Sequence, residues 1–180
     1  MNIKTGLKLK AAVIPLVLAG ALSGIISGCK KNNNSNSSTS SGSSLTAQVG
    51  NAVDPYVGFS ASTLTAVDNT VAHEIQITGI TVSGGDSTTL AIYFPDSITG
   101  PSYLLFDGIQ TIMNYTNQAA SQNYFQIPGN ASGTLQITYF NTTTHEVRAN
   151  FTGATYKNGN ASDSLMNVYN GALIATYTTP

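Results

Sequence analysis

The residues of this chain whose types best suit catalysis or metal binding are its two histidines, each followed by a glutamate. They form His73-Glu74 and His145-Glu146. If these segments faced each other, the four side chains would suit a metal ion, or a general base and its orienting carboxylate. Successive strand residues point to opposite faces, however, so neighbours share one site only across a bulge. We therefore expect solvated polar side chains, with an accessory hydrolase or a metal-binding enzyme as the alternative.

Other catalytic patterns are missing from the sequence. There is no His-Glu-x-x-His, Gly-x-Ser-x-Gly or phosphate-binding glycine run. Aspartates at predicted turns are expected to bond neighbouring backbone amides rather than to form a carboxylate pair. These are Asp86, Asp96, Asp107 and Asp163. We predict no catalytic residue, no metal site and no cofactor.

Three of these aspartates precede a serine. The segments Asp86-Ser87-Thr88, Asp96-Ser97-Ile98 and Asp163-Ser164-Leu165 resemble the pattern that the O-glycosylation machinery of Bacteroidota uses on exported proteins. The resemblance implies glycosylation at Ser87, Ser97 and Ser164. Ordinary turn chemistry of Asp-Ser pairs is the alternative.

A single cysteine, Cys29, excludes a disulfide within the chain and a cysteine-cluster metal site. It follows a lysine-containing start and a stretch without charge, residues 11–26, which is shorter than the roughly 20 residues of a membrane-spanning helix. Ile26-Ser27-Gly28-Cys29 resembles the lipobox of bacterial lipoproteins. That resemblance implies a signal peptide over residues 1–28, cleavage before Cys29, and lipidation of its thiol and new amino terminus.

The segment after the cysteine is expected to be a disordered tether. Residues 30–44 contain lysine, asparagine, serine, threonine and glycine but no apolar side chain. Together with Cys29 it would hold a domain away from the membrane that the lipid enters. We expect an outer-membrane location, in which the domain faces either the periplasm or the cell surface.

Charge divides the chain into two parts. Residues 1–31 contain five lysines and no acid, whereas residues 45–180 contain one arginine and one lysine against eight acids, giving +5 and -6. Seven basic residues in total exclude a basic nucleic-acid binder. The net charge of -1 is therefore a cancellation, and the acidic part would repel anionic polymers.

From residue 45 onward apolar residues recur with a period of two. Leu90, Ile92 and Phe94 alternate with other residues, and the same pattern appears in Leu135-Ile137-Tyr139 and in Val147-Ala149-Phe151. The pattern predicts a single all-β domain over residues 45–180, an antiparallel sandwich or a partly open barrel meander of about eight to ten strands. A phase change at Gly79 suggests a bulge or a close approach, and only residues 109–120 allow a short helix.

The order of the segments resembles a family of small Bacteroidota lipoproteins that carry an all-β domain of unknown function. The matching segments are Leu45-Thr46-Ala47-Gln48-Val49, Phe59-Ser60-Ala61, Gly100-Pro101-Ser102-Tyr103-Leu104, Gly133-Thr134-Leu135-Gln136-Ile137-Thr138, Ala149-Asn150-Phe151-Thr152-Gly153 and Asn170-Gly171. Relatives often have a tryptophan in the first strands, where this chain has Phe59. The resemblance implies a fold and a location, and no activity.

Binding is the function class that the composition favours. Nine tyrosines and six phenylalanines suffice for a platform that contacts a sugar or a peptide, although strand periodicity assigns most of them to the core. We expect a monomeric binding, adhesion or structural module whose ligand, a glycan or a protein, is undetermined.

Overall fold

The computed structural model describes residues 42–51 and 56–180, and every regular element in them is a β-strand. The strands are β1 Ser44–Gly50, β2 Val57–Ser60, β3 Thr63–Asn69, β4 Glu74–Ser83, β5 Asp86–Pro95, β6 Ser102–Leu105, β7 Ile112–Asn117, β8 Gln122–Phe125, β9 Gly133–Asn141, β10 Glu146–Lys157 and β11 Leu165–Thr176. The predicted all-β class is confirmed, with eleven strands rather than eight to ten. No helix long and apolar enough to cross a membrane occurs in these residues. The predicted signal peptide and most of the predicted tether lie outside them.

The strands form one antiparallel sheet in the order β2-β1-β11-β10-β8-β7-β5-β4-β3. Strand β10 is its branch point, because β11 pairs along one edge while β9 and then β8 share the other. Strand β6 extends the β9 branch. At the far end of the order, β3 meets the segment after β11 through two backbone hydrogen bonds between Asp68, Ala66 and Thr178, of 2.8 and 3.1 Å. The sheet thus curls back toward its own middle, giving a sandwich-like all-β fold.

The core consists of the inward faces of these strands. Leu90, Ile92 and Phe94 of β5 are fully buried, as the alternation predicts. On β10 the predicted inward residues are also buried, while their neighbours Arg148, Asn150 and Thr152 are exposed. Because β-branched and aromatic side chains fill the inner face, apolar burial stabilises the sheet without a disulfide or a metal.

The predicted phase of β9 is wrong at its end. Tyr139 was expected to lie inside with Leu135 and Ile137, but Tyr139 is exposed and Phe140 is buried. The pairing with β10 shifts there, which leaves Thr138 as an extra residue. Its hydroxyl donates to the Arg148 carbonyl at 3.1 Å. A bulge of this kind reverses which side chains face the core for the rest of the strand.

Of the two explanations for Gly79, the close approach is correct and the bulge is wrong. The register of β4 with β3 and β5 is unbroken through Gly79, which pairs with Leu64 and Leu90. A Cβ atom on Gly79 would lie 2.7 Å from Leu45 Cδ2 and 2.9 Å from Ala61 Cβ. Glycine is needed there because β1 and the chain after β2 pack directly over β4.

The prediction that residues 109–120 could form a short helix is wrong. They form the end of a loop, strand β7 and the start of the following turn.

The carboxyl group of Asp107 is held by the loop that precedes β7. Burial raises its pKa, but hydrogen bonds from the backbone N–H groups of Ile109, Gln110 and Thr111 outweigh burial and hold the pKa below its ordinary value. They donate to Oδ1 at 2.9, 2.8 and 3.0 Å. Since the folded-state pKa is lowered, this stabilisation is present above the unfolded-state pKa. It is lost as the pH falls through the folded-state pKa.

We expect Gly79→Ala to lower the free energy of unfolding by about 1–3 kcal/mol, because the new methyl group overpacks a fixed contact. Leu45 is fully buried and the Ala61 Cβ is attached to backbone, so neither moves aside easily. Urea unfolding measures the change. The matched control is Gly58→Ala on β2, where a Cβ meets nothing within 4 Å. Equal stability of the two variants would contradict the close packing of β1 on β4.

Candidate functional site

The two His-Glu pairs lie in hairpin loops of the same design. The β3–β4 loop and the β9–β10 loop both read Asn-Thr-x-x-His-Glu, beginning at Asn69 and Asn141. Each asparagine side-chain oxygen accepts backbone N–H groups of its own loop, at 3.1 Å in the first and at 2.8 and 3.0 Å in the second. His73 and His145 follow in the left-handed conformation, with φ of 55° and 54°. Histidine is among the residues that tolerate this conformation.

A third loop shows that the imidazole is not required by this design. In the β7–β8 connection Asn117 Oδ1 accepts the Ala120 N–H at 3.3 Å. Ser121 then has a φ of 50°, four positions after the asparagine, as each histidine is. The repeated asparagine and left-handed residue therefore have a conformational explanation, and the sequence repeat was a signal that the pairs belong to turns.

The two histidines contact different partners. His73 Nδ1 lies 3.5 Å from Asp96 Oδ2, and its side chain is 81% exposed. The His145 ring stacks on Tyr177 with centroids 5.1 Å apart. Each histidine carbonyl also accepts the backbone N–H of that same partner. The two histidines therefore occupy equivalent positions in their hairpins: His73 lies beside the end of β5, and His145 lies beside the end of β11.

The four predicted groups are not assembled into one metal-binding group. In the part of the chain that the structure describes, no three His, Cys, Asp or Glu side chains are placed to hold a metal ion. A cavity of about 440 Å³ beside His73 also includes Glu74 and Asp96, but neither His145 nor Glu146 lines it. Each glutamate accepts a hydrogen bond from the residue two positions later in its own strand. Gln76 Nε2 donates to Glu74 Oε1 at 2.6 Å, and Arg148 Nε donates to Glu146 Oε1 at 2.7 Å.

The three serines of the glycosylation pattern differ in exposure. Ser97 lies in the turn after β5 and Ser164 just before β11, and both are exposed. Ser87 lies within β5, is half-buried, and donates its hydroxyl hydrogen bond to Gln118 Oε1. Cys29, the predicted lipidation site, lies outside the described residues.

A groove with a volume of about 530 Å³ lies on the outer face of β6, β9, β10 and β11. We call it the amide groove. It is lined by Tyr103, Thr134, Gln136, Asn150, Phe151, Thr152, Asn170, Gly171 and Ala172. Its volume falls in the range of about 300–1,000 Å³ that small-molecule sites occupy. No sequence pattern predicted this groove.

Strand register brings the groove residues together. Tyr103 pairs with Gln136, Gln136 with Asn150, and Asn150 with Ala172. These four residues are exposed and form one row across four strands. Directly paired residues of an antiparallel sheet lie about 4.5–5.5 Å apart, so their side chains work as one surface.

A bulge in β11 forms the floor of the groove. Between Val168 and Ala172, strand β11 has one more residue than β1 and β10 have between the paired positions, and Asn170 has a φ of 49°. A Cβ on Gly171 would lie 2.3 Å from the Phe151 ring. The absence of a side chain at Gly171 therefore leaves room for the Phe151 ring inside the sheet. The Asn170 amide is held by Gln48, with Nδ2 donating to Oε1 at 3.1 Å.

The groove is electrically neutral. Its lining contains no Asp, Glu, His, Lys or Arg. On the same outer face of β10, Arg148 is paired with Glu146 at 2.7 Å and lies 5.3 Å from the centre of the Tyr139 ring. The amides of Gln136 and Asn150 make no hydrogen bond with another described residue. They are therefore available to a neutral ligand that both donates and accepts hydrogen bonds.

Searches of protein-family models, of curated proteins and of solved structures found no match to this chain.

If the histidines are turn residues, His73→Asn should leave the free energy of unfolding nearly unchanged, because asparagine also adopts the left-handed conformation. His73→Val should lower it by about 1–2 kcal/mol, since a β-branched residue is strained there. Thermal unfolding with circular dichroism measures both. A larger loss for His73→Asn than for His73→Val would refute the conformational explanation.

Proposed function

We propose that this protein is a lipid-anchored lipoprotein of the bacterial cell envelope whose β domain binds a ligand through the amide groove. The observation that carries the binding function is the groove itself, a neutral cavity on paired strands. It is lined by the side-chain amides of Gln136 and Asn150, which bond no other described residue. Polar groups fixed on strands keep their geometry better than groups on loops. We also infer that the curled sheet acts as a partly open barrel, supported by the backbone bonds between β3 and Thr178.

Binding is favoured over catalysis by the chemistry of the groove. Its side chains are amides, hydroxyls, one phenol and apolar groups, which orient a ligand through hydrogen bonds. It has no carboxylate, imidazole, amine or thiol to accept a proton or attack a substrate near neutral pH.

The second candidate function, an accessory hydrolase, depends on the smaller cavity. The contact between His73 and Asp96 resembles a base with its orienting carboxylate, and Ser97 lines the same cavity. The His73 side chain is 81% exposed, however, so solvent screens its contact with Asp96. A hydrolytic activity that the His73→Asn protein loses while remaining folded would favour this candidate over binding.

The anchor and the location are supported by residues 26–31. Cys29 ends a lipobox-like segment, and Lys30 and Lys31 follow it, where each lysine adds about 1 kcal/mol of attraction to an anionic lipid surface. One acyl chain gives only marginal binding, so stable anchoring requires acylation at more than one position. We place the protein in the outer membrane, on either face.

Glycosylation is proposed at the serines of the Asp-Ser pattern. Ser97 and Ser164 are exposed beside turns, which an enzyme acting on the folded chain can reach. Ser87 is the poorest candidate of the three because Gln118 accepts its hydroxyl. A sugar there would require that bond to break.

We expect the protein isolated from its native host to have the intact mass of residues 29–180 with acyl groups on Cys29, increased by sugar units. Mass spectrometry of the membrane fraction reads both modifications. Ser97→Ala and Ser164→Ala should each remove one sugar unit, and Ser87→Ala is the comparison. A mass equal to the lipidated polypeptide alone would exclude the glycosylation.

The control for the anchor is Cys29→Ala, which has no thiol to acylate and should leave the membrane fraction. Retention of that variant in membranes after a high-salt wash would contradict lipidation, because the salt wash removes protein held only by Lys30 and Lys31.

Filling the amide groove should abolish ligand capture. Ala172 is exposed on the groove floor, so Ala172→Trp blocks the cavity without entering the core. The detergent-solubilised full chain is immobilised and exposed to solubilised envelope and polysaccharide of its host. Captured protein is identified by mass spectrometry and captured glycan by sugar analysis.

The matched control is Thr65→Trp, which adds the same side chain at an exposed position of β3 outside both cavities. Material captured by the wild type and by Thr65→Trp, but not by Ala172→Trp, supports the proposed function. Identical capture by all three proteins refutes binding through the groove.

A further inference from the structure

We infer that the ligand of the amide groove is a neutral oligosaccharide, an inference that rests on the proposed binding function. It follows from three properties of the groove: hydrogen-bonding groups of both kinds, an exposed aromatic ring at one end, and the lack of charge. A fourth property, its position on the face of the sheet, separates sugars from peptides.

The hydrogen-bonding groups match hydroxyls. Each of Gln136 and Asn150 presents two N–H donors and an acceptor oxygen, and Thr134 and Thr152 add hydroxyls. A sugar hydroxyl likewise donates one hydrogen bond and accepts others. Neighbouring amides on paired strands therefore suit neighbouring hydroxyls on one sugar ring. On binding, the hydrogen bonds that amides and hydroxyls make with water are replaced by hydrogen bonds between amide and hydroxyl.

The aromatic ring is Tyr103. It is 66% exposed at the β6 end of the row that continues through Gln136 and Asn150. An exposed ring beside polar groups provides an apolar surface for the C–H face of a pyranose, while the phenol stays in water. Tyr103 thus supplies the apolar contact that amides alone do not provide.

Charge decides against anionic polymers. The described residues contain two cations, Arg148 and Lys157, and neither lines the groove. Arg148 is already paired with Glu146. A carboxylate or sulfate group in the groove would lose water without gaining an opposite charge, which is unfavourable.

Position decides against an extended peptide. Peptides that add to a sheet bond the free backbone groups of an edge strand. The groove instead spans the paired strands β9, β10 and β11, whose backbone groups bond each other. Across these three strands only side chains are offered to the ligand, which suits a molecule recognised by its hydroxyls; β6, which carries Tyr103, pairs with β9 alone.

The test uses the detergent-solubilised full chain and three matched sets of ligands. The sets are neutral oligosaccharides of hexose and N-acetylhexosamine, the same oligosaccharides with uronic acid or sulfate groups, and peptides of similar mass. We expect binding of neutral members and about tenfold weaker binding by Asn150→Ala, equivalent to loss of one or two hydrogen bonds. Tyr103→Ala should weaken binding similarly.

The matched control is Asn123→Ala, which removes an exposed strand amide of β8 outside the groove and should bind as the wild type does. The affinity should also be flat between about pH 5 and 8 and insensitive to salt, because the groove has no side chain that titrates there.

The outcomes separate this inference from the proposed function. Groove-dependent binding of charged oligosaccharides or peptides, or no binding of the neutral set, overturns the inference. The capture experiment with Ala172→Trp decides the proposed function independently. If that capture is groove-dependent while neutral oligosaccharides fail to bind, the groove is a binding site for another class of ligand.

Discussion

The pairing of β10 with β11 is the interaction on which the rest of the structure depends. Both strands have 12 residues, and each carries the other strands of the sheet on its second edge. Through β11 the sheet gains β1 and β2. Along its other edge β10 pairs first with β9, which adds β6, and then with β8, which adds β7, β5, β4 and β3. The Phe151 ring lies under Gly171 at the one irregular step of this pair. Phe151 and Gly171 therefore pack the core at the position where the amide groove lies on the outer face.

That shared point connects stability to the proposed binding function. A side chain at Gly171 would displace Phe151 from the core, so the floor of the amide groove is a consequence of packing inside the sheet. The side chains around the floor point outward from paired strands, where alternation leaves them exposed. The spacing of the groove residues is therefore set by the pairing of their strands.

The repeated hairpin loop explains a feature that first suggested chemistry. Histidine followed by glutamate occurs twice because the same loop occurs twice, with an asparagine that bonds the loop amides and a left-handed residue that closes it. The glutamate then begins the next strand and bonds a residue two positions on, Gln76 or Arg148. The β7–β8 loop keeps the asparagine but has Ser121 in place of the histidine, so the loop conformation does not depend on an imidazole. Function is therefore better sought on the strand faces.

The sequence by itself determined the all-β class and the inward residues of β5 and β10, because period-two alternation acts locally along the chain. It also determined the division of charge between residues 1–31 and residues 45–180. Tertiary structure alone decided that Thr138 forms a bulge that buries Phe140, and that Gly79 lies against Leu45. It also decided that Tyr103, Gln136, Asn150 and Ala172 form one row. These features depend on which strands pair and in which register. Pairing between distant segments is fixed by the packing of the whole core, which no local pattern encodes.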